Sequence, residues 1–193
     1  MTKSRLEAFS DGVIAILITI MVLELKVPHA SDLAVLEEML PTFLAYLLSY
    51  VVLGIYWNNH HHMLHIAGGI SGAVLWANLH LLFWLSLLPF ATGWMGENHF
   101  AALPTALYGV LLLGSACAYK ILQTTLIRAQ GRGGKLDLAV GKDKKGLAPL
   151  VLYALAVPAA FYRPWISYAI YIGVALLWLV PDRRIEKQLS APH

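Results

Sequence analysis

The sequence predicts an all-α membrane protein in which residues 1–193 form one domain of six transmembrane helices. Three observations carry that expectation. Apolar residues make up 59% of the chain and charged ones 13%, against about 45–50% and about 25% in soluble domains. The apolar residues gather into six segments, at 11–26, 40–59, 70–92, 101–126, 147–162 and 164–181, most of them near the ~20 residues a helix needs to cross about 30 Å of hydrocarbon. Of the 14 Lys and Arg residues, all but Lys26 and Arg163 fall at the amino terminus, between the end of the fourth segment and the start of the fifth, or in the tail. By the positive-inside rule both termini are cytoplasmic, as six spans require.

The first segment organises the rest. Residues 12–23 hold no charge and one hydroxyl, Thr19, between Arg5 and Asp11 on one side and Glu24 and Lys26 on the other. An acidic residue at the mouth, with no small-x-small cleavage site behind it, marks a span that stays in place. Ionised Arg5 and Asp11 at such a mouth need a partner or water. Ile16, Ile20 and Leu23 fall at i, i+4 and i+7, one stripe of a 3.6-residue helix with Thr19 beside it. Such a stripe faces lipid, a neighbouring helix or a narrow pore.

Residues 27–32 then read as a turn with a helix cap, and Leu33 to Leu40 as a short amphipathic helix at the outer surface. Pro41 is expected to open the second span, where a missing N–H is tolerated. At its far end Tyr56 and Trp57 suit an interfacial aromatic belt. The polar patch Asn58-Asn59-His60-His61-His62-Met63-Leu64-His65 follows. Its histidines share helix faces, but no carboxylate or cysteine is near to complete a metal site, so none is expected. Hydrogen bonding is the plainer role. Segment one begins, segment two ends and segment three begins on the cytoplasmic side, so Asp11, Trp57, His60, His61 and Asn78 share one depth within a turn or two. A network joining them would satisfy their polar groups and fix the rotation of helix one. Ser10 and Asp11 also suit helix capping, which is compatible with that network.

In the third segment Asn78 and His80 are expected to face protein, since lipid would leave their donors unpaired. Pro89 kinks or ends this helix, and Gly93, Gly96, Glu97 and Asn98 are expected to form the outer loop. Small residues in the fourth segment (Gly109, Gly114, Ser115, Ala116 and Ala118) allow close helix approach. The loop from Gln130 to Lys135 is glycine-rich but lacks the phosphate-cradling spacing, so a basic cytoplasmic linker is the better reading. The last two segments are short and separated only by Tyr162-Arg163-Pro164, which predicts a tight hairpin.

Several classes are set aside on this reading. The basic excess of +3 sits beside apolar segments, not along one polar face, which argues against nucleic acid. Cys117 is the single cysteine, leaving neither a disulfide framework nor a cysteine metal cluster. No nucleophile elbow or nucleotide motif supports an enzyme. A channel built by oligomerisation, a small secondary transporter or proton-conducting protein, and a non-conducting interaction module remain.

Arg5-x-x-x-Phe9-Ser10-Asp11, leading into Gly12-Val13-x-Ala15-Ile16 and Thr19, resembles the first-helix signature of the transmembrane protein 175 family of potassium channels. Tyr56-Trp57-x-Asn59-His60-His61, and Asn78 followed by Leu88-Pro89-Phe90, echo the same family in order. The likeness covers roughly the first 90 residues by motif, and the rest by hydropathy only. It implies a single-repeat prokaryotic member of the plasma membrane, a homotetramer in the lipid bilayer with helix one of each subunit lining a central pore. Potassium would be the permeant ion, with no cofactor. Contacts through Arg5, Phe9, Ser10, Asp11, Trp57, Asn59, His60 or His61, and Asn78 would hold helix one, and Ile16 would form the narrowest ring, with Thr19, Ile20 and Leu23 beside it. Ala15 departs from relatives that carry a hydroxyl there, which removes one polar layer from the expected lining.

Overall fold

The computed structural model of the chain describes residues 2–28, 33–131, 134, 136–137 and 144–179. Its elements are helical throughout. Helix α1 spans Lys3–Ile20 and tightens into a 3-10 turn at Met21–Glu24; α2 spans Leu33–Ile66, α3 Gly72–Ser86, α4 Leu88–Glu97, α5 Ala102–Gln130, α6 Lys144–Tyr162 and α7 Pro164–Leu179. By length and composition, Lys3–Glu24, α2, α3 with α4, and α5 can each cross a membrane, while α6 and α7 are shorter apolar helices. The basic residues Arg132, Lys135, Lys142, Arg183, Arg184 and Lys187, on which the orientation rests, lie outside the described residues, as do 29–32 of the expected turn and cap.

Two sequence expectations are corrected here. Pro41 does not open a helix: it lies inside α2, which runs unbroken for 34 residues, roughly 51 Å at ~1.5 Å per residue. Leu33 to Leu40 are therefore the first turns of the second span and not a separate surface helix. Gly93, Gly96 and Glu97 are likewise not loop residues but part of α4. The chain breaks earlier, at Leu87, which caps both α3 and α4. Pro89 sits in the first turn of α4, where its absent N–H leaves no helical bond unmade. What turns the chain after α4 is Asn98 to Ala101. His99 and Phe100 there adopt left-handed φ of 48° and 57°, a conformation that bulky side chains rarely hold. Phe100 N donates to Met95 O at 2.9 Å, and the Phe100 ring packs on Tyr168 with centroids 4.5 Å apart.

Helix α5 is the spine, packed against α3, α4, α6 and α7. The small residues expected to permit close approach do so. A Cβ on Gly114 would lie 2.4 Å from the Trp84 ring of α3, and one on Gly109 would lie 2.2 Å from Tyr171 Oη of α7. At mid-depth Ser49 Oγ pairs with Thr92 Oγ1 at 2.7 Å and with Tyr108 Oη at 2.9 Å, so these buried hydroxyls satisfy one another. Only Arg163 separates α6 from α7, and Ser167 Oγ donates to Ala156 O at 2.6 Å across that hairpin.

Candidate functional site

Helix α1 has two faces. Leu6, Ser10, Ile14, Leu17 and Met21 are buried, a stripe at helical spacing that packs against α2 and α3. On the opposite face Phe9, Ile16, Ile20 and Leu23 are 48%, 59%, 39% and 75% exposed, and Thr19 is exposed with them. The 3-10 turn sharpens that second face. Side chains three apart eclipse in such a turn, so Leu23 stands above Ile20 and does not drift round the helix. Thr19 Oγ1 donates to Ile16 O at 2.9 Å, which leaves its oxygen lone pairs as the free polar feature of the stripe.

The buried face is tied down by a directed chain of hydrogen bonds. Ser10 Oγ donates to Leu6 O at 2.9 Å inside its own helix, so toward its neighbours it can only accept. Asn78 Nδ2 of α3 donates to Ser10 Oγ at 2.9 Å. Asn78 Oδ1 in turn lies 2.7 Å from His60 Nε2 of α2. With the Asn78 amide spent on Ser10, its oxygen accepts, and His60 carries its proton on Nε2. Three helices thus meet at Ser10, His60 and Asn78, all buried, and the three side chains pair with one another at a depth where an unpaired polar atom is costly.

A second tie lies at the rim. Trp57 Nε1 donates to Asp11 Oδ1 at 3.0 Å, giving the carboxylate a partner midway along α1; the helix begins at Lys3 with Thr2 as its N-cap, so Ser10 and Asp11 do not cap it as expected. His61 stacks on Trp57, and His65 on His61, each with ring centroids 6.1 Å apart. Lys3 Nζ donates to His65 O at 2.6 Å, which sets the start of α1 beside the end of α2.

The expected network residues therefore divide. Ser10, Asp11, Trp57, His60 and Asn78 meet helix one or its ties. His61 only stacks behind Trp57. Asn59 turns away, with Nδ2 on Ile55 O at 2.8 Å, while its backbone carbonyl accepts from Tyr119 Oη at 3.3 Å. Arg5 and Phe9 are exposed, and Phe9 shares the face of Ile16. The expectation for His80 is corrected: it is exposed and accepts from Trp84 Nε1 one turn on, at 2.9 Å, because two positions along a helix turn it away from the buried Asn78. Sequence reasoning missed the Lys26–Glu97 ion pair, which joins the chain just after the 3-10 turn to the end of α4. The opposite charges on the expected outer side were the available signal.

The family model described as endosomal/lysosomal potassium channel TMEM175 matches residues 5–89. A potassium channel from Chryseobacterium sp. is 54% identical over 190 residues, covering 98% of this chain and 99% of its own. A potassium channel from Streptomyces collinus is 35% identical over 137 residues, 65% of each chain. Among solved structures, the crystal structure of a lysosomal potassium-selective channel TMEM175 homolog from Chamaesiphon minutus superposes with a TM-score of 0.79. It is 27% identical and matches over 93% of this chain and 97% of its own.

Proposed function

This chain belongs to the TMEM175 family, and from that premise we propose that it is a potassium channel of a prokaryotic plasma membrane, with both termini in the cytoplasm. Four copies assemble about an axis, each contributing α1 to a central pore, since one bundle cannot enclose a path lined by a single kind of helix. Ile16, Ile20 and Leu23 become stacked apolar rings, Ile16 the narrowest. The chain contains no Thr-Val-Gly-Tyr-Gly filter, so discrimination does not come from carbonyl-lined loops. A tight apolar ring strips hydration water, and potassium gives up its water more easily than sodium does. The same ring gates by dewetting. Thr19 supplies an oxygen where some of that water is lost.

The observation that carries this reading is the division of α1: one face locked by Ser10 and its partners, the other an uncovered stripe containing Ile16. The test is potassium and sodium flux from liposomes. Ile16→Ala and Ile16→Asn are expected to speed flux and to lower the potassium-to-sodium ratio. An unchanged ratio removes Ile16 from the constriction.

A further inference from the structure

His80 lies within the span Gly72–Glu97, about 7 Å from its midpoint at ~1.5 Å per residue and so inside the ~15 Å half-thickness of a hydrocarbon core. It is exposed there, on an outer face of α3 that it shares with Trp76, Leu79 and Phe83. Trp84 fixes its chemistry. An indole nitrogen only donates, so His80 Nε2, 2.9 Å from Trp84 Nε1, accepts, and the neutral ring carries its proton on Nδ1. Among the described residues that second N–H has no acceptor. Lipid tails offer none either.

Asn58 is its counterpart on α2: half-buried, with no side-chain hydrogen bond among the described residues. Its depth follows from one contact. His60 pairs with Asn78 across α2 and α3, and these helices run in opposite directions, so two residues back from His60 and two on from Asn78 reach one level. Asn58 and His80 are therefore level. Rotation about an axis normal to the membrane keeps every residue at its own depth, so within a ring of copies a side chain meets only partners at that depth. Helix α1 packs against both α2 and α3; with α1 toward the axis these two flank it, and α3 of one copy borders α2 of the next. We propose that His80 Nδ1 donates to Asn58 Oδ1 of the neighbouring copy, one bond at each junction of the tetramer. The contact rests on the tetrameric reading above and is heterologous, as in any cyclic tetramer. A second copy is the occupant because it brings an oxygen acceptor to a depth where lipid has none.

The full chain in lipid vesicles tests this, with His80→Cys and Asn58→Cys combined in a Cys117→Ser background and treated with a membrane-permeant oxidant. The pair is expected to link copies into a covalent ladder of up to four protomers; neither cysteine alone does so. His80→Leu and Asn58→Leu are each expected to lower the tetramer fraction several-fold at equal dilution, the scale of an interhelical hydrogen bond in a bilayer, and the double variant no further. His80→Gln, which keeps an N–H donor, should lose less than His80→Leu. A wild type that native mass spectrometry shows as a lone protomer removes the tetramer itself. A tetramer in which the cysteine pair forms no ladder, or in which the two leucine losses add, overturns this contact and leaves the tetramer standing.

Discussion

Asn78 Nδ2 donates to Ser10 Oγ at 2.9 Å, joining α3 to α1 across 68 positions of sequence. Both side chains are fully buried. A bond between two short side chains tolerates neither a turn of sliding nor a rotation of α1, so it sets which residues the helix leaves uncovered. The position of Ile16 on the open face is a consequence of where Ser10 is held.

Replacing Asn78 with Leu keeps the volume and removes both ends of this link. His60 Nε2 and Ser10 Oγ lose their partner in a dry site, and a loss of about 1–3 kcal/mol is expected. Thermal unfolding in detergent measures it. Ser10→Ala in the same background should add little, because its bond to Asn78 is already gone. Additive losses would show that the two residues act separately.

Trp57→Phe keeps the aromatic stack with His61 and deletes the indole donor to Asp11. The contact is partly exposed, so the stability loss should stay near ~0.5–1.5 kcal/mol. Releasing this tie on α1 should nevertheless change potassium flux in liposomes. Asp11→Asn, which retains an acceptor oxygen, is expected to be milder than Asp11→Ala. If Asp11→Ala matches the wild type in flux, the rim tie has no part in conduction.

At Gly96 helix α4 comes close to α2. A Cβ there would sit 2.6 Å from Thr42 Cα, a backbone atom that cannot swing aside. Gly96→Ala should therefore destabilise by about 1–3 kcal/mol, as overpacking does. Gly54→Ala serves as its control, since a Cβ at Gly54 meets nothing within 4 Å. In a helix interior that change should be neutral or stabilise by roughly 0.5–1 kcal/mol. Equal melting temperatures for the two variants would contradict the packing described.

Thr19→Val removes an oxygen from the exposed stripe at nearly constant volume. The potassium-to-sodium flux ratio is expected to fall while the melting temperature holds, because the Thr19 hydroxyl bonds only within its own helix. A fall in stability without a change in the ratio would make Thr19 a structural residue alone.

Periodicity and composition were enough to expose most of the apolar helices, the short terminal hairpin and the stripe on α1, because each depends on spacing within one segment, but not the start of α1 at Lys3 or the separate helix α4. The polar cluster was legible for a related reason: alternating topology brings Ser10, His60 and Asn78 to one depth whatever the packing. Which neighbour reaches the network was not legible. Asn59 and His60 are adjacent, yet His60 reaches Asn78 of α3 while the Asn59 amide bonds back to Ile55 O within α2. Pro41 misled because a proline near a helix start and one a few turns inside look alike in sequence when the local carbonyls can be solvated.

The link between α6 and α7 bears on how the protein is made. Helix α7 has 16 residues, roughly 24 Å of rise where about 30 Å is needed, and one residue separates it from α6. So short a connection is expected to make the two helices insert as one hairpin with Arg163 at its tip. Biogenesis, more than conduction, is where a lengthened linker at that point would first be felt.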